Sequence, residues 1–199
     1  MRFATAAAIF LAAVAGGVPA LAADWKPIEK IATYRVEGKS GIELYRSIGH
    51  RGPIVGKDVR AIAHTNFRLT WKRDYRTRGT ACVLVSAVPR LVITYTLPEP
   101  ASRLPEPLAQ RWKIFREGIA AHERVHGDLI EAMTRKIEAE TVGFTLENDP
   151  GCRKIYSVME KRLGEISREQ QAASNAFDRE EMAPGGTIEK LVLDLVNGG

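Results

Sequence analysis

The chain has 199 residues and carries 29 lysines and arginines against 24 aspartates and glutamates, a formal net charge of +5. This length suffices for one ordinary domain and hardly for two. The basic excess is mild. In the densest basic segment, residues 68–78, basic side chains alternate with others as on the solvated face of a strand. This pattern argues against a nucleic-acid-binding protein. Attraction to an anionic envelope surface fits the charge better.

Residues 1–22 have the layout of a secretory signal peptide. Met1 and Arg2 form a short basic start, an apolar run follows, and Ala20-Leu21-Ala22 offers a small-residue cleavage site. An uncleaved membrane anchor is the alternative, but the run is short for a bilayer span of about 20 residues, and glycine and proline interrupt its end. We therefore predict cleavage after Ala22, export to the periplasm or the medium, and a mature domain of residues 23–199 without a stable membrane span.

The first half of the mature chain is predicted to form strands. Residues 31–36 alternate between apolar and polar side chains and end at a glycine, as a strand and turn do. Ser40 is placed to cap a short helix that ends between Gly49 and Pro53. Two strands rich in β-branched and aromatic residues follow, over residues 59–75 and 82–97, and Pro89 predicts a bulge or turn within the second.

A cluster of prolines near residue 100 separates this half from a helical half. From Leu108 onward the apolar residues recur every three or four positions, which predicts a helix of roughly 35 residues that ends near Gly143. A second helix is predicted from about residue 152 to 176, followed by a polar tail over residues 177–186 and a last short packing element. The fold class is therefore α+β, an N-terminal antiparallel or mixed sheet packed with two long C-terminal helices.

Cys82 and Cys152 are the two cysteines of the chain. An exported protein enters an oxidising compartment, where two lone thiols usually pair. A thiolate metal ligand is the alternative, but neither cysteine belongs to a C-x-x-C pair. The sequence predicts one disulfide between them.

The segment His122-Glu123-Arg124-Val125-His126 is an H-E-x-x-H motif within the first long helix. Histidines four residues apart differ by about 40° around a helix, so both imidazoles can bind one zinc ion while Glu123 acts as general base beside them. Both histidines fall on the apolar stripe, so the motif faces inward. Alternatively, the two histidines are core residues bonded to carbonyl groups, and Glu123 pairs with a nearby arginine.

A catalytic zinc ion takes three protein ligands and keeps one position for water, so the motif leaves one ligand to be found. Neither a third histidine at the metzincin spacing nor a downstream E-x-x-x-D is present. Asp178 is the first candidate, because it follows a helix that could lie against the motif helix, in a segment too polar for packing alone. The further candidates are Glu181, Glu169, Glu165 and His64.

The chain as a whole resembles a bacterial family described as predicted secreted zinc-dependent proteases, catalogued chiefly as a domain of unknown function. The resemblance implies a zincin-like active-site helix and a peptidase. The matching features, in chain order, are Tyr34-Arg35-Val36-Glu37-Gly38, Gly52-Pro53, Trp71, Cys82, Leu97-Pro98, Arg111-Trp112, Phe115, the motif with Gly127, Cys152 and Phe177-Asp178.

The C-terminal part departs from that family pattern at one position. Relatives tend to carry Tyr-Asp-x-x-Thr-x-His-Gly, whereas this chain has Ala183 in place of the histidine. The leading hypothesis is a zinc metallopeptidase that hydrolyses peptide bonds in proteins or an amide in cell-wall peptide. The competing hypothesis is a non-catalytic cell-envelope protein that binds a partner, with a structural or degenerate metal site.

Overall fold

The computed structural model describes residues 24–198, and the predicted signal peptide lies outside these residues. No helix within this range is long and apolar enough to cross a membrane. The elements are β1 (Ile28–Val36), α1 (Gly41–Arg51), β2 (Ile54–Val55), β3 (Val59–Arg60), β4 (His64–Arg78), β5 (Ala81–Pro100), α2 (Leu108–Thr141), β6 (Thr145–Leu146), α3 (Ile155–Met182) and α4 (Thr187–Asn197).

The main sheet is mixed, as predicted, with the strand order β1-β5-β4. β1 runs parallel to the second half of β5, and β4 forms a long antiparallel hairpin with β5. The single predicted strand over residues 59–75 is divided, because β3 pairs with β2 in a separate small hairpin before β4 begins. β4 lies at the edge of the main sheet, and its first residues reach the motif helix.

The prediction of a bulge or turn at Pro89 was wrong, because β5 continues through this residue and Pro89 pairs with Trp71. The predicted bulge within β5 lies instead at Val85, which stands unpaired between Ser86, the partner of Asp74, and Leu84, the partner of Tyr75. At Pro89 the other edge of β5 has no partner strand in the described part of the chain, since β1 pairs only from Val92 onward. A missing N–H therefore disrupts no ladder there.

The 34 residues of α2 confirm the predicted long helix, which packs on the face of the sheet formed by Leu91, Ile93, Tyr95 and Leu97. Most of the predicted apolar stripe is buried, and the buried face of the helix is wider than that stripe. It also includes polar residues, among them Glu123 and Glu138. The indole N–H of Trp25 donates a 2.7 Å hydrogen bond to Glu138.

The second long helix is longer than predicted, because α3 continues to Met182. Asp178 therefore lies on the helix and not after it, and the predicted polar tail is largely its last two turns. Nothing in the sequence breaks the helix before Pro184 and Gly185, so the polar composition of this segment reflects its exposed face. The predicted last packing element is α4, which buries Ile188 and Leu195 against α2 and α1.

The predicted disulfide between Cys82 and Cys152 is present and connects β5 to the turn before α3. Cys82 is fully buried in a second apolar cluster with Leu84, Ile155 and Met159. The same turn holds Asp149, whose side chain accepts hydrogen bonds of 2.8 to 3.0 Å from the backbone N–H groups of residues 153, 154 and 155. Asp149 thereby caps the start of α3.

Replacing Asp149 with alanine is expected to destabilise the fold at neutral pH and to matter less in acid. Burial would raise the pKa of Asp149, but the three N–H groups outweigh it and hold the pKa below the usual value. A lowered folded-state pKa stabilises the native state above the unfolded pKa of about 3.9, and this stabilisation is lost as the pH falls through the folded pKa. Urea unfolding should show a smaller difference in the free energy of unfolding between variant and wild type at pH 3 than at pH 7. An equal difference at both pH values would contradict this role.

Candidate metal centre

Three side chains predicted to bind a metal converge between α2 and α3. The Nε2 atoms of His122 and His126 lie 3.1 Å apart, and Oδ1 of Asp178 lies 3.1 Å from the first and 2.9 Å from the second. The three atoms thus form a nearly equilateral triangle. The histidines meet because they are one turn apart on α2, and Asp178 reaches them from the last turns of α3. These residues form a candidate metal-binding group.

Two further residues of α3 hold the histidines in place. The Ser174 hydroxyl lies 2.8 Å from Nδ1 of His126, so the Nε2 atom of this histidine is left for the centre of the triangle. The Phe177 ring stacks on His122 with 4.7 Å between ring centroids and meets His126 edge-on at 5.5 Å. Sequence analysis missed Ser174, although its spacing of four from Asp178 puts both on one helix face.

Glu123 is 5% exposed and lies beside the triangle. The hydroxyl of Thr65, at the start of β4, lies 2.5 Å from Oε2 of Glu123 and 3.1 Å from its backbone carbonyl oxygen. Burial raises the pKa of Glu123, and the nearby Asp178 raises it further. The hydrogen bond from Thr65 and the neighbouring His126 lower the pKa, but the rise is larger. A carboxylate with a raised pKa accepts a proton more readily than an ordinary surface glutamate. No sequence pattern pointed to Thr65.

The electrostatics of the site favour the neutral form of His122 and of His64. Burial and, second, the neighbouring His126 lower the pKa of His122, and together they outweigh Asp178 and Glu181, which raise it. The same two causes, burial first and His126 second, lower the pKa of His64. A neutral imidazole is the form that binds a metal, so His122 is ready to bind a metal ion at neutral pH without first losing a proton.

The triangle opens into a cavity of about 570 Å³ between β4, α2 and α3. His64 and Thr65 line it on the side of β4. Its remaining wall divides into two kinds of surface. The polar part comes from Gln170, Gln171, Ser174 and Asn175 of α3 and from Arg60 of β3. The apolar part comes from several elements, α3 included, and comprises Val55, Val59, Ala61, Ile62, Ala63, Phe67, Ile119, Ile130, Met182 and Ile188.

The other candidate ligands are not members of the triangle. Glu165 and Glu169 form ion pairs with Arg162, and Glu169 also pairs with Lys136. His64 lines the cavity, but it is not part of the His122, His126 and Asp178 group. Glu181 lies behind His122, with Oε2 3.9 Å from Nδ1.

Gly127 follows the second motif histidine, and the side chain of Tyr95 lies directly against it. A Cβ atom at this residue would lie 2.2 Å from the phenol oxygen of Tyr95. The Tyr95 hydroxyl donates a 2.6 Å hydrogen bond to Glu29. Glycine is therefore required here to let α2 pack closely on the sheet.

The donor set suits a divalent transition metal. Two imidazole nitrogens and one carboxylate oxygen are ligands that zinc binds at about 2.0 to 2.2 Å, which separates neighbouring ligand atoms of a tetrahedral site by roughly 3.3 to 3.6 Å. The triangle edges of 2.9 to 3.1 Å are only a few tenths of an ångström shorter. The three side chains therefore fit a metal ion after a small outward adjustment.

Fold and site together define an α+β protein whose two long helices hold a candidate His/His/Asp metal group beside a cavity. A model of the family described as "Bacterial protein of unknown function (DUF922)" matches residues 31–186, and the chain belongs to this family. The match includes all three residues of the group and Glu123. No curated protein and no solved structure matches the chain. The family description names no activity, so the peptidase function implied by the resemblance stays a prediction.

Proposed function

We propose that the protein is an exported zinc-dependent hydrolase that cleaves peptide bonds. The observation that carries the proposal is the triangle of His122, His126 and Asp178 with the buried carboxylate of Glu123 beside it. This arrangement combines three ligands with a general base, which is the minimum that a hydrolytic zinc site needs. Asp178 suits the third position better than Glu181, because Glu181 faces the other nitrogen of His122.

Each residue has a defined part in such a reaction. When bound at these ligands, zinc lowers the pKa of a water molecule toward neutrality and polarises a carbonyl group. Glu123 takes a proton from the attacking water and passes it to the leaving nitrogen as the C–N bond breaks. Thr65 orients the carboxylate of Glu123, while Ser174 and Phe177 fix the two imidazole rings.

The surroundings of the triangle support a peptide substrate with a large apolar side chain next to the cleaved bond. Among the residues that line the cavity, Ile119, Ile130 and Ile188 are buried, while Phe67 and Met182 are exposed. The amide side chains of α3 offer donors and acceptors for a peptide backbone. β4 is an edge strand whose first residues line the cavity, so an extended peptide could add to this edge.

Several features support action in the periplasm or outside the cell. The disulfide requires an oxidising compartment to form and persist, and the sequence begins with the layout of a signal peptide. The mildly basic composition suits an anionic envelope surface. Substrates in this setting are envelope proteins or the peptide part of the cell wall.

A non-catalytic envelope protein with a structural metal is the second candidate, and Ala183 at the family's histidine position favours it. A structural zinc ion is normally closed by four protein ligands. The group found among residues 24–198 contains three side chains and adjoins a cavity, which is the pattern of an open site. A crystal structure after zinc soaking would decide, because a fourth protein ligand would favour the structural role.

Metal analysis of the purified mature protein tests the proposal directly. We expect about one zinc ion per chain. We expect Asp178→Ala to weaken zinc binding by more than about 100-fold, because losing a ligand costs more affinity than the 10- to 100-fold loss caused by removing a residue that only hydrogen-bonds to a ligand. Asp128→Ala is the matched control, because this acid is exposed on α2 close to the motif. Metal-free wild-type protein that takes up no added zinc would overturn the proposal.

Digestion of casein and of purified peptidoglycan separates the two substrate classes. Activity on either should disappear with a chelator and return with zinc. Mass spectrometry of the casein fragments should show large apolar residues next to the cut. Cleavage next to charged residues would contradict the assignment of the apolar cavity wall.

A further inference from the structure

One nitrogen of the metal triangle's first histidine is left without a partner. The Nδ1 atom of His122 is buried and has no hydrogen-bond partner among residues 24–198. A buried ring nitrogen that is shielded from water depends on a protein group for its hydrogen bond. The ionic group nearest to it is the carboxylate of Glu181, with Oε2 at 3.9 Å.

Glu181 is held where it can reach this nitrogen. Its second oxygen, Oε1, accepts a 2.9 Å hydrogen bond from the hydroxyl of Thr187 at the start of α4. Its side chain is 20% exposed, so it is largely shielded from solvent. Glu181 lies three residues after Asp178 on α3, which puts the two carboxylates on neighbouring positions of one helix face.

The two carboxylates approach His122 at different nitrogens. Asp178 contacts Nε2, the atom that belongs to the triangle, whereas Glu181 faces Nδ1. Glu181 is therefore placed outside the ligand set but next to it. Histidines that bind a metal generally donate their other ring N–H to a carboxylate, carbonyl or water, which fixes the tautomer and makes the ligand nitrogen more basic.

We propose that Glu181 is the positioning residue of the metal centre: it accepts a hydrogen bond from Nδ1–H of His122 and so keeps the Nε2 lone pair directed at the metal. A movement of about 1 Å brings the 3.9 Å separation to hydrogen-bond distance. Thr187 orients Glu181 and thereby links the start of α4 to the centre. This inference rests on the metal binding in the proposed function but not on hydrolysis.

The positioning role of Glu181 is tested by the zinc affinities of three variants. Each affinity is measured by competition with a chromophoric chelator. Glu181→Ala should bind zinc 10- to 100-fold more weakly than wild type, the usual effect of losing such a partner. Glu181→Gln retains an acceptor oxygen without the charge and should lose less. Glu180→Ala is the matched control, since it removes the same charge from the adjacent, exposed residue, and should stay within twofold.

Nitrogen-15 NMR of the zinc-loaded protein distinguishes a hydrogen bond between Glu181 and His122 from a general effect of Glu181 on the fold. Wild type should show one His122 N–H at Nδ1 that is protected from exchange, and Glu181→Ala should lose this protection while keeping its circular dichroism spectrum. Glu181→Leu, which has no acceptor oxygen, takes its place if the alanine variant does not fold.

The proposal is overturned if the Glu181 variants bind zinc within twofold of wild type, or if Glu180→Ala loses as much affinity as Glu181→Ala. Wild-type protein that binds no zinc would overturn both this inference and the proposed function. Zinc binding without peptide hydrolysis would overturn only the proposed function, because this test does not use activity.

Discussion

Glu123→Gln is expected to retain zinc and to lose hydrolysis by about 10²- to 10⁴-fold in kcat, the usual contribution of a general base. The amide matches the carboxylate in size and can still accept the hydrogen bond from Thr65, so the geometry around the motif should persist. It cannot take up a proton from water. The rate is measured on the peptide substrate found by digestion, and the zinc content by elemental analysis of the same sample.

Glu117→Gln provides the matched control for this variant. Glu117 is exposed on the same helix, and the substitution removes the same charge. Its zinc content and its rate should both equal those of wild type. A Glu123→Gln variant with full activity would eliminate Glu123 as the base, and one that lost its zinc would indicate that Glu123 contributes to metal binding.

Joint replacement of Cys82 and Cys152 by alanine is expected to lower the free energy of unfolding by about 4 kcal/mol in the chain-entropy model, because the disulfide closes a loop of 70 residues. Alanine avoids placing a polar atom in the buried second cluster, where Cys82 packs against Leu84 and Ile155. Guanidinium unfolding at pH 7 measures the loss as a lower midpoint at similar slope.

Reduced wild-type protein should lose a similar amount of stability, which separates loss of the bond from loss of the sulfur atoms. Below the unfolding transition, the double variant should bind zinc like wild type, because the disulfide belongs to a different apolar cluster from the residues around His122. An unchanged midpoint in both samples would show that the bond contributes little to stability.

Periodicity along the chain predicted the parts of this protein that depend on one helix or one strand. Alternation of apolar and polar residues located β1, and enrichment in β-branched and aromatic residues located β5. The three- and four-residue spacing located α2 to within a residue or two of its length. The motif histidines share a helix, so their proximity follows from helix geometry alone. The disulfide followed from there being two cysteines in a chain predicted to be exported.

Contacts between distant elements were less predictable. Thr65 meets Glu123 across 58 residues of sequence, and nothing in the pattern of β4 distinguishes it from other strand residues. Asp178 was predicted to lie beyond the second helix, because the polar residues around it suggested a tail. In the structure α3 includes Asp178 and continues to Met182, and the polar residues belong to its exposed face. Pro89 can lie within β5 because, in the described part of the chain, no strand pairs with the other edge of β5 at this residue. This is a property of the sheet and not of the local sequence.

The distribution of the three proposed ligands over two helices has a thermodynamic consequence. The motif alone supplies two of them, and Asp178 joins only when α3 has packed on α2, 56 residues further along the chain. An unfolded chain therefore lacks the complete set, and zinc would bind the native state far more tightly than the denatured state. By linkage, each tenfold rise in free zinc above its dissociation constant would stabilise the fold by about 1.4 kcal/mol. Zinc availability would then govern how long the protein survives in its compartment as well as whether it acts.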